Sequence, residues 1–299
     1  MELSEESKNA VIIMPDDLVT VTTMNHIVEV QHMEKMNTRA TIRKLNKDQF
    51  VELSTGEIRE YEHIENRSES YNSLRQSFKK IRYLINNNFT GKKNELFITL
   101  TYAENMTDNK QLYTDMDKFL KRLRYKYKKT SDFDYLAVVE PQGRGAWHVH
   151  VLLRFNALES VFLPAAELSE IWGHGYVTIE RIQDVDNIGA YLSAYLADVE
   201  LTSETIWKGV EENRKLVEKE INGETKRFIK GGRLHMYPPG INLYRKSKGI
   251  QFPERKKMLY KNAKKIVGSA TPHYSKKYEI DTDEFENTVQ FEQYNFKRL

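Results

Sequence analysis

The residues with the greatest chemical potential are His148 and His150, set one residue apart in the run Trp147-His148-Val149-His150-Val151-Leu152-Leu153. Successive side chains of a β-strand alternate between faces. The two imidazoles therefore share one face, while Trp147, Val149, Val151, Leu153 and Phe155 line the other. Two imidazoles on a rigid strand can hold one divalent metal ion, although the pair alone more often marks two packed structural histidines. Tyr135 to Glu140 reads as a preceding strand, and Pro141-Gln142-Gly143-Arg144-Gly145-Ala146 as a turn-rich link, which makes a hairpin. With pairing symmetric about that link, Glu140 falls opposite or nearly opposite Trp147 and His148, and a slip of one residue reverses its face. We take the register that turns Glu140 toward the histidines. A carboxylate there adds a hard oxygen donor, which suits Mn2+ or Mg2+ better than a closed zinc site, and such an ion polarises phosphate oxygens. The alternative is an ion pair between Glu140 and Arg144.

A second candidate group is the tyrosine pair Tyr191 and Tyr195, four residues apart in Asp186-Asn187-Ile188-Gly189-Ala190-Tyr191-Leu192-Ser193-Ala194-Tyr195. The segment reads as a helix to about Val199, capped by Asp184 or Asp186, and the spacing puts both hydroxyls on one face. A tyrosine hydroxyl, with an ordinary pKa of about 10, is a weak nucleophile unless its electrophile is activated. Spacing alone fits a buried aromatic stripe as well. There is no glycine-rich phosphate loop and no Gly-x-Ser-x-Gly elbow, so a nucleotide cofactor and serine hydrolysis are not expected.

These groups need a sheet with helices on it. Leu96 to Tyr102, Tyr135 to Glu140, Trp147 to Phe155 and Gly173 to Ile182 read as strands. Apolar residues at helical spacing mark helices over Ser68–Asn88, Lys110–Lys128 and Pro164–Trp172. The first is basic, with Arg75, Lys79, Lys80 and Arg82, and its cations are read as a solvated face. The expected fold class is α+β, a central antiparallel sheet flanked by helices. Residues 1–90 read as a strand-rich N-terminal region with one basic helix. Residues 91–250 hold the chemistry, and 251–299 form a basic, then acidic tail, partly disordered. Residues 203–222 read as a charged, exposed helix, and Arg233 to Ser247 as strand, Pro-Gly turn, strand.

The 46 Lys and Arg nearly cancel 43 Asp and Glu, so local basic patches matter more than the net charge of +3. The chain has no cysteine, which rules out disulfides and thiolate metal sites. Neither a signal peptide nor a run of eighteen apolar residues is seen, and a cytoplasmic protein is expected.

Phe97-Ile98-Thr99-Leu100-Thr101-Tyr102, then Glu140 through His150, then the Tyr191/Tyr195 helix resemble the three successive motifs of HUH endonucleases. Within these the chain is most similar to the rolling-circle replication initiators of Gram-positive plasmids, phages and integrative elements. The resemblance covers roughly residues 95 to 200, and Tyr237-Pro238-Pro239-Gly240 with Leu243 to Ser247 is similar to a later strand of those proteins. It implies a divalent ion held by His148, His150 and Glu140. It also implies a tyrosine that attacks single-stranded or extruded origin DNA, leaving a 5′-phosphotyrosine link and a 3′-hydroxyl primer for a host helicase and polymerase. Many relatives carry a lysine three residues after a tyrosine; Ala194 and Asp198 stand there instead. Tyr191, nearer the helix start, is favoured as the first nucleophile. Given the resemblance, residues 1–90 are a candidate for origin binding, and Arg144, Arg245 and Lys246 are candidate DNA contacts. Relaxases and transposases share this site, and a nuclease-inactive origin-binding protein is the alternative outside the enzymes.

Overall fold

The computed structural model describes residues 12–35, 41–46, 48–61, 71–142, 145–182, 185–197, 199–200, 216–221, 224–229, 233, 236–238, 240–282 and 285–298. The chain opens with strands β1 (Leu18–Met24), β2 (Ile27–Met33), β3 (Ile42–Lys44), β4 (Gln49–Glu52) and β5 (Ile58–Glu60). Helix α1 (Tyr71–Asn88), β6 (Glu95–Tyr102), α2 (Asn109–Tyr127) and the hairpin β7 (Phe133–Pro141) and β8 (Trp147–Phe155) follow. Next come α3 (Ala165–Trp172), β9 (Gly175–Glu180), α4 (Ile188–Ala197) and β10 (Val199–Glu200). The remaining elements are β11 (Leu216–Ile221), β12 (Glu224–Ile229), β13 (Tyr244–Lys246), β14 (Glu254–Leu259), α5 (Tyr260–Val267), β15 (Tyr274–Thr282) and β16 (Phe285–Asn295). The class is α+β, as expected.

Two compact units divide the chain, one within residues 66–252 and one joining 1–65 to 253–299. The first contains a five-stranded sheet of order β13-β7-β8-β6-β9 in which every neighbouring pair is antiparallel. The alternation along β8 separates its two faces. Trp147, Val149, Val151, Leu153 and Phe155 are buried. On that face Tyr127 of α2 packs its ring edge on Phe155, and Trp172 of α3 lies 5.0 Å from Tyr102. Phe119 of α2 and Trp172 are fully buried, their ring centroids 6.0 Å apart, and large apolar side chains so placed contribute about 1.5–3 kcal/mol each. Helix α2 begins on Asp108, whose carboxylate accepts the amides of Lys110 and Gln111, satisfying two otherwise orphaned donors.

The histidine face is covered at one end by α1 and α4. Ile85, Leu192 and Leu196 of those helices line a small cavity with Leu136, Val138 and His150. Asn86 ties the two helices together, donating to Asn187 Oδ1 at 3.0 Å and accepting from the Gly189 amide at 2.8 Å. A Cβ on Gly189 would lie 2.6 Å from Asn86 Oδ1, so the close approach of α4 to α1 requires glycine. The cap of α4 is Asn187, whose side chain accepts the Ala190 amide at 3.0 Å, rather than Asp186; Asp184 lies outside the described residues.

The unit boundaries differ from those read in the sequence. The basic helix α1 packs on the site-bearing sheet, while residues 254–295 are not a loose tail. β14 pairs with β1, and β16 pairs with β2 from Val289↔Met33 to Asn295↔Ile27, giving the sheet β14-β1-β2-β16-β15. Val19, Val21, Val28 and Val30 of this sheet pack under Ala263 and Val267 of α5. Such pairings join chain ends far apart in sequence, and no local pattern names the partner of a strand. Leu216–Ile221, expected in a charged helix, is β11, paired with β12; 201–215 lies outside the described residues. Of the two strands expected between Arg233 and Ser247, β13 is present, while Arg233 sits in a turn and 234–235 are not described. The expected start of α1, Ser68 to Ser70, is likewise outside the described residues.

Candidate active site

The register of one hairpin assembles the site. Glu140 pairs directly with His148, and Val138 with His150, so Glu140 and both histidines project from the same face. The link is closed by the Gln142 amide donating to Ala146 O at 2.7 Å and the Gly145 amide to Gln142 O at 2.8 Å. Gly145 has φ 87°, a left-handed conformation that glycine adopts without a Cβ clash. Arg144, the candidate partner of Glu140 and of DNA, lies outside the described residues.

One ligand atom from each of Glu140, His148 and His150 lies within 4.8 Å of the others. His150 Nε2 contacts Glu140 Oε2, and the Gln142 side-chain amide reaches His148 Nε2. Two nitrogens and a carboxylate converging in this way fit a single divalent cation. The second nitrogen of His150 is also engaged: Nδ1 lies 3.0 Å from Thr99 Oγ1. With Nδ1–H donated to that hydroxyl, the Nε2 lone pair would be available to an ion that displaces the Nε2 proton from Glu140. Thr99 is opposite His150 on β6, and Phe97, two residues earlier, stacks on the same imidazole at 5.6 Å and 14°. Both belong to the Phe97-to-Tyr102 run singled out in the sequence, which carried no assigned role there.

Glu140 is 4% exposed. Burial pushes its carboxyl up, but the opposing charge and hydrogen bond of His150, with the charge of Arg233, outweigh burial and hold it below the ordinary carboxylate range. Arg233 contacts Glu140 Oε1 through its guanidinium and donates to Pro141 O at 3.1 Å. No local pattern marked Arg233, because its partner is 93 positions earlier. Gln142, in the hairpin link itself, was within reach of sequence reasoning once the register was fixed.

Tyr191 lies in the first turn of α4, half-buried against the core, its amide donating to Asn187 O at 3.0 Å. Tyr195 is one turn further along the same helix. Leu192 and Leu196 of that helix line the cavity that His150 also lines, so the tyrosine helix lies over the histidine face. The two cations of β13 are placed differently. Arg245 is opposite Ala137, on the face away from the histidines, bound to both carboxylate oxygens of Asp117 at 3.0 Å and lying over the Tyr113 ring of α2 at 4.3 Å. Lys246 donates to Ile250 O at 2.7 Å. Neither is brought to the Glu/His/His cluster.

The cluster, the Thr99 strand and the tyrosine helix all fall in one continuous segment. Residues 95–200 match a family model for replication-associated proteins of the ORF2 type. The match agrees with the resemblance to rolling-circle replication initiators read from the sequence. The matched segment runs from the start of β6 to the end of β10, and Arg233 and β13 lie outside it. Searches of curated proteins and of solved structures gave no significant match. Among the described residues, no helix is long and apolar enough to cross a membrane.

Proposed function

We propose that the protein initiates rolling-circle replication as a metal-dependent tyrosine nickase and strand transferase acting on single-stranded or extruded origin DNA. The observation that carries this reading is the convergence of Glu140, His148 and His150 within 4.8 Å inside the segment that matches the replication-associated model. Glu140, His148 and His150 would hold Mn2+ or Mg2+, and that ion supplies charge neutralisation and polarisation of the scissile phosphate. Thr99 and Phe97 fix the imidazole plane of His150, and Gln142 orients His148. The hydroxyl of Tyr191 or Tyr195 attacks phosphorus, the P–O3′ bond breaks, and the departing 3′ oxygen ends with the proton the tyrosine gives up. The products are a 5′-phosphotyrosine link and a free 3′-hydroxyl that can prime synthesis. The second tyrosine serves the strand transfer that closes the cycle, and Tyr191, nearer the helix start, is the first nucleophile in this reading. Host helicase and polymerase are the expected partners.

The contact of Arg233 with Glu140 favours a second reading, in which a guanidinium alone neutralises the carboxylate and the protein binds origin DNA without cutting it. One experiment separates the two. The protein is incubated with labelled single-stranded candidate-origin DNA and Mn2+ or Mg2+, and denaturing gels are scanned for a covalent adduct. The nickase reading expects a metal-dependent adduct, lost in His148→Ala and in Tyr191→Phe/Tyr195→Phe, with the single tyrosine variants showing which hydroxyl attacks. Tight DNA binding with no adduct under any metal supports the second reading.

A further inference from the structure

Thr101 pairs with His148 on one side and with Tyr176 on the other. Directly opposed residues of antiparallel strands share a face, so Glu140, His148, Thr101 and Tyr176 form one row across β7, β8, β6 and β9. The row ends at the sheet edge, since β9 is the last strand. There Tyr176 is 68% exposed, although Val177 beside it is buried on the opposite face. No hydrogen bond or ring contact among the described residues ties the Tyr176 side chain down.

Its backbone, by contrast, is firmly held. Gly175 sits so close to β6 that a Cβ there would lie 2.4 Å from Thr101 O and 2.5 Å from the Ala103 amide nitrogen, at φ 151°. The Ala103 amide donates to His174 O at 2.9 Å, and the Val177 amide donates to Ser169 Oγ of α3 at 3.1 Å. An aromatic ring on a fixed strand, open to solvent and on the metal-site face, is what an unpaired base needs for stacking at little ordering cost. Two strand spacings separate β9 from β8, about 10 Å, which a single strand spans in about three nucleotides at about 3.4 Å each, and in fewer where it is stretched beyond that rise. Further along β9 that face carries Thr178 and Glu180, so the platform is confined to the end next to the site.

We propose that Tyr176 is a stacking platform for a base of the single strand, one to three nucleotides from the phosphate at the Glu140–His148–His150 cluster. The inference rests on the nickase reading for its substrate. It assigns the edge strand a role in positioning DNA that sequence alone did not suggest.

The test uses the full chain, in chelator and without added metal, with oligothymidylates carrying one 2-aminopurine at successive positions. Wild type, Tyr176→Ala, Tyr176→Phe and Tyr176→Trp are compared by anisotropy and by 2-aminopurine quenching, with thermal melting to confirm the fold. Loss of one base–aromatic stack weakens binding about 5- to 150-fold. Tyr176→Ala is expected to show that loss and to abolish the quench, whereas Phe and Trp retain both. In the adduct assay, the DNA concentration giving half-maximal product rises by the same factor. If the alanine variant binds and quenches like the wild type, the platform is refuted while the nickase reading stands. If phenylalanine fails as badly as alanine, the hydroxyl rather than the ring is responsible, which also overturns stacking. A wild type that neither binds single strands nor forms an adduct removes the nickase reading and this inference together.

Discussion

Replacing Thr99 with valine is the sharpest probe of how the candidate metal site is built. The change keeps the shape of a side chain that is 9% exposed and deletes one group, the hydroxyl 3.0 Å from His150 Nδ1. Two consequences follow. The part-buried Nδ1 of His150 is left without that partner, which costs about 1–3 kcal/mol. The imidazole also loses the contact that fixes its ring plane and tautomer, and removal of such a supporting partner typically lowers metal affinity about 10- to 100-fold, or about 1.4–2.7 kcal/mol. The two estimates overlap, as they should if one hydrogen bond underlies both. The assay is calorimetric titration of Mn2+ into DNA-free protein, paired with Mn2+ dependence of adduct formation. Thr99→Val should shift both curves to higher metal by the same factor, Thr99→Ser should restore them, and His150→Ala should abolish binding. A Thr99→Val protein that melts like the wild type and binds Mn2+ as tightly would refute the assignment of Thr99 as the residue that positions His150.

Arg233→Ala should destabilise the metal-free protein by about 3–5 kcal/mol, because the buried Glu140 carboxylate loses its guanidinium, and Mn2+ should recover much of the loss in a thermal melt. Gly189→Ala drives a methyl to 2.6 Å from Asn86 Oδ1 and 2.8 Å from Arg82 O, and should cost about 1–3 kcal/mol by denaturant unfolding while slowing adduct formation through displacement of the tyrosine helix. Burial pushes the Asp134 carboxyl up, but hydrogen bonds from Ser247, Arg154 and Asn156 outweigh it and leave the group below its ordinary range. Its contribution is therefore complete above the unfolded value of about 3.9 and is lost as pH falls through the lower native value, and Asp134→Asn should flatten that acid limb in a pH series of melts.

Much of the site-bearing sheet was legible because its signals are local. Alternation along β8 separates Trp147, Val149 and Val151 from His148 and His150 whatever the rest of the chain does. The stripe Met116, Phe119, Leu120, Leu123 is a 3.6-residue pattern, and its helix lies where the sequence put it, one residue from the expected start. The hairpin link is short enough that its register leaves few choices, and that register turns Glu140 toward the histidines. The cap of α4 was missed by one residue, since Asp186 and Asn187 are both good caps and the choice depends on the contact of Asn187 with Asn86 of α1.

Sequence by itself therefore determined the residue types, the faces and the order of the motifs: a carboxylate, two imidazoles on one strand face, and two tyrosines one helical turn apart. Tertiary structure alone decided the rest, because each remaining feature joins positions that no local periodicity connects. Arg233 meets Glu140 across 93 positions, and Arg245 is turned to the α2 face by the pairing of β13 with β7. Tyr176 enters the row of the Glu140–His148–His150 cluster only through two strand registers. Residues 254–295 close onto β1 and β2 because unpaired strand edges and apolar faces must find partners, and hydrogen bonding and burial select those partners only once the chain has folded.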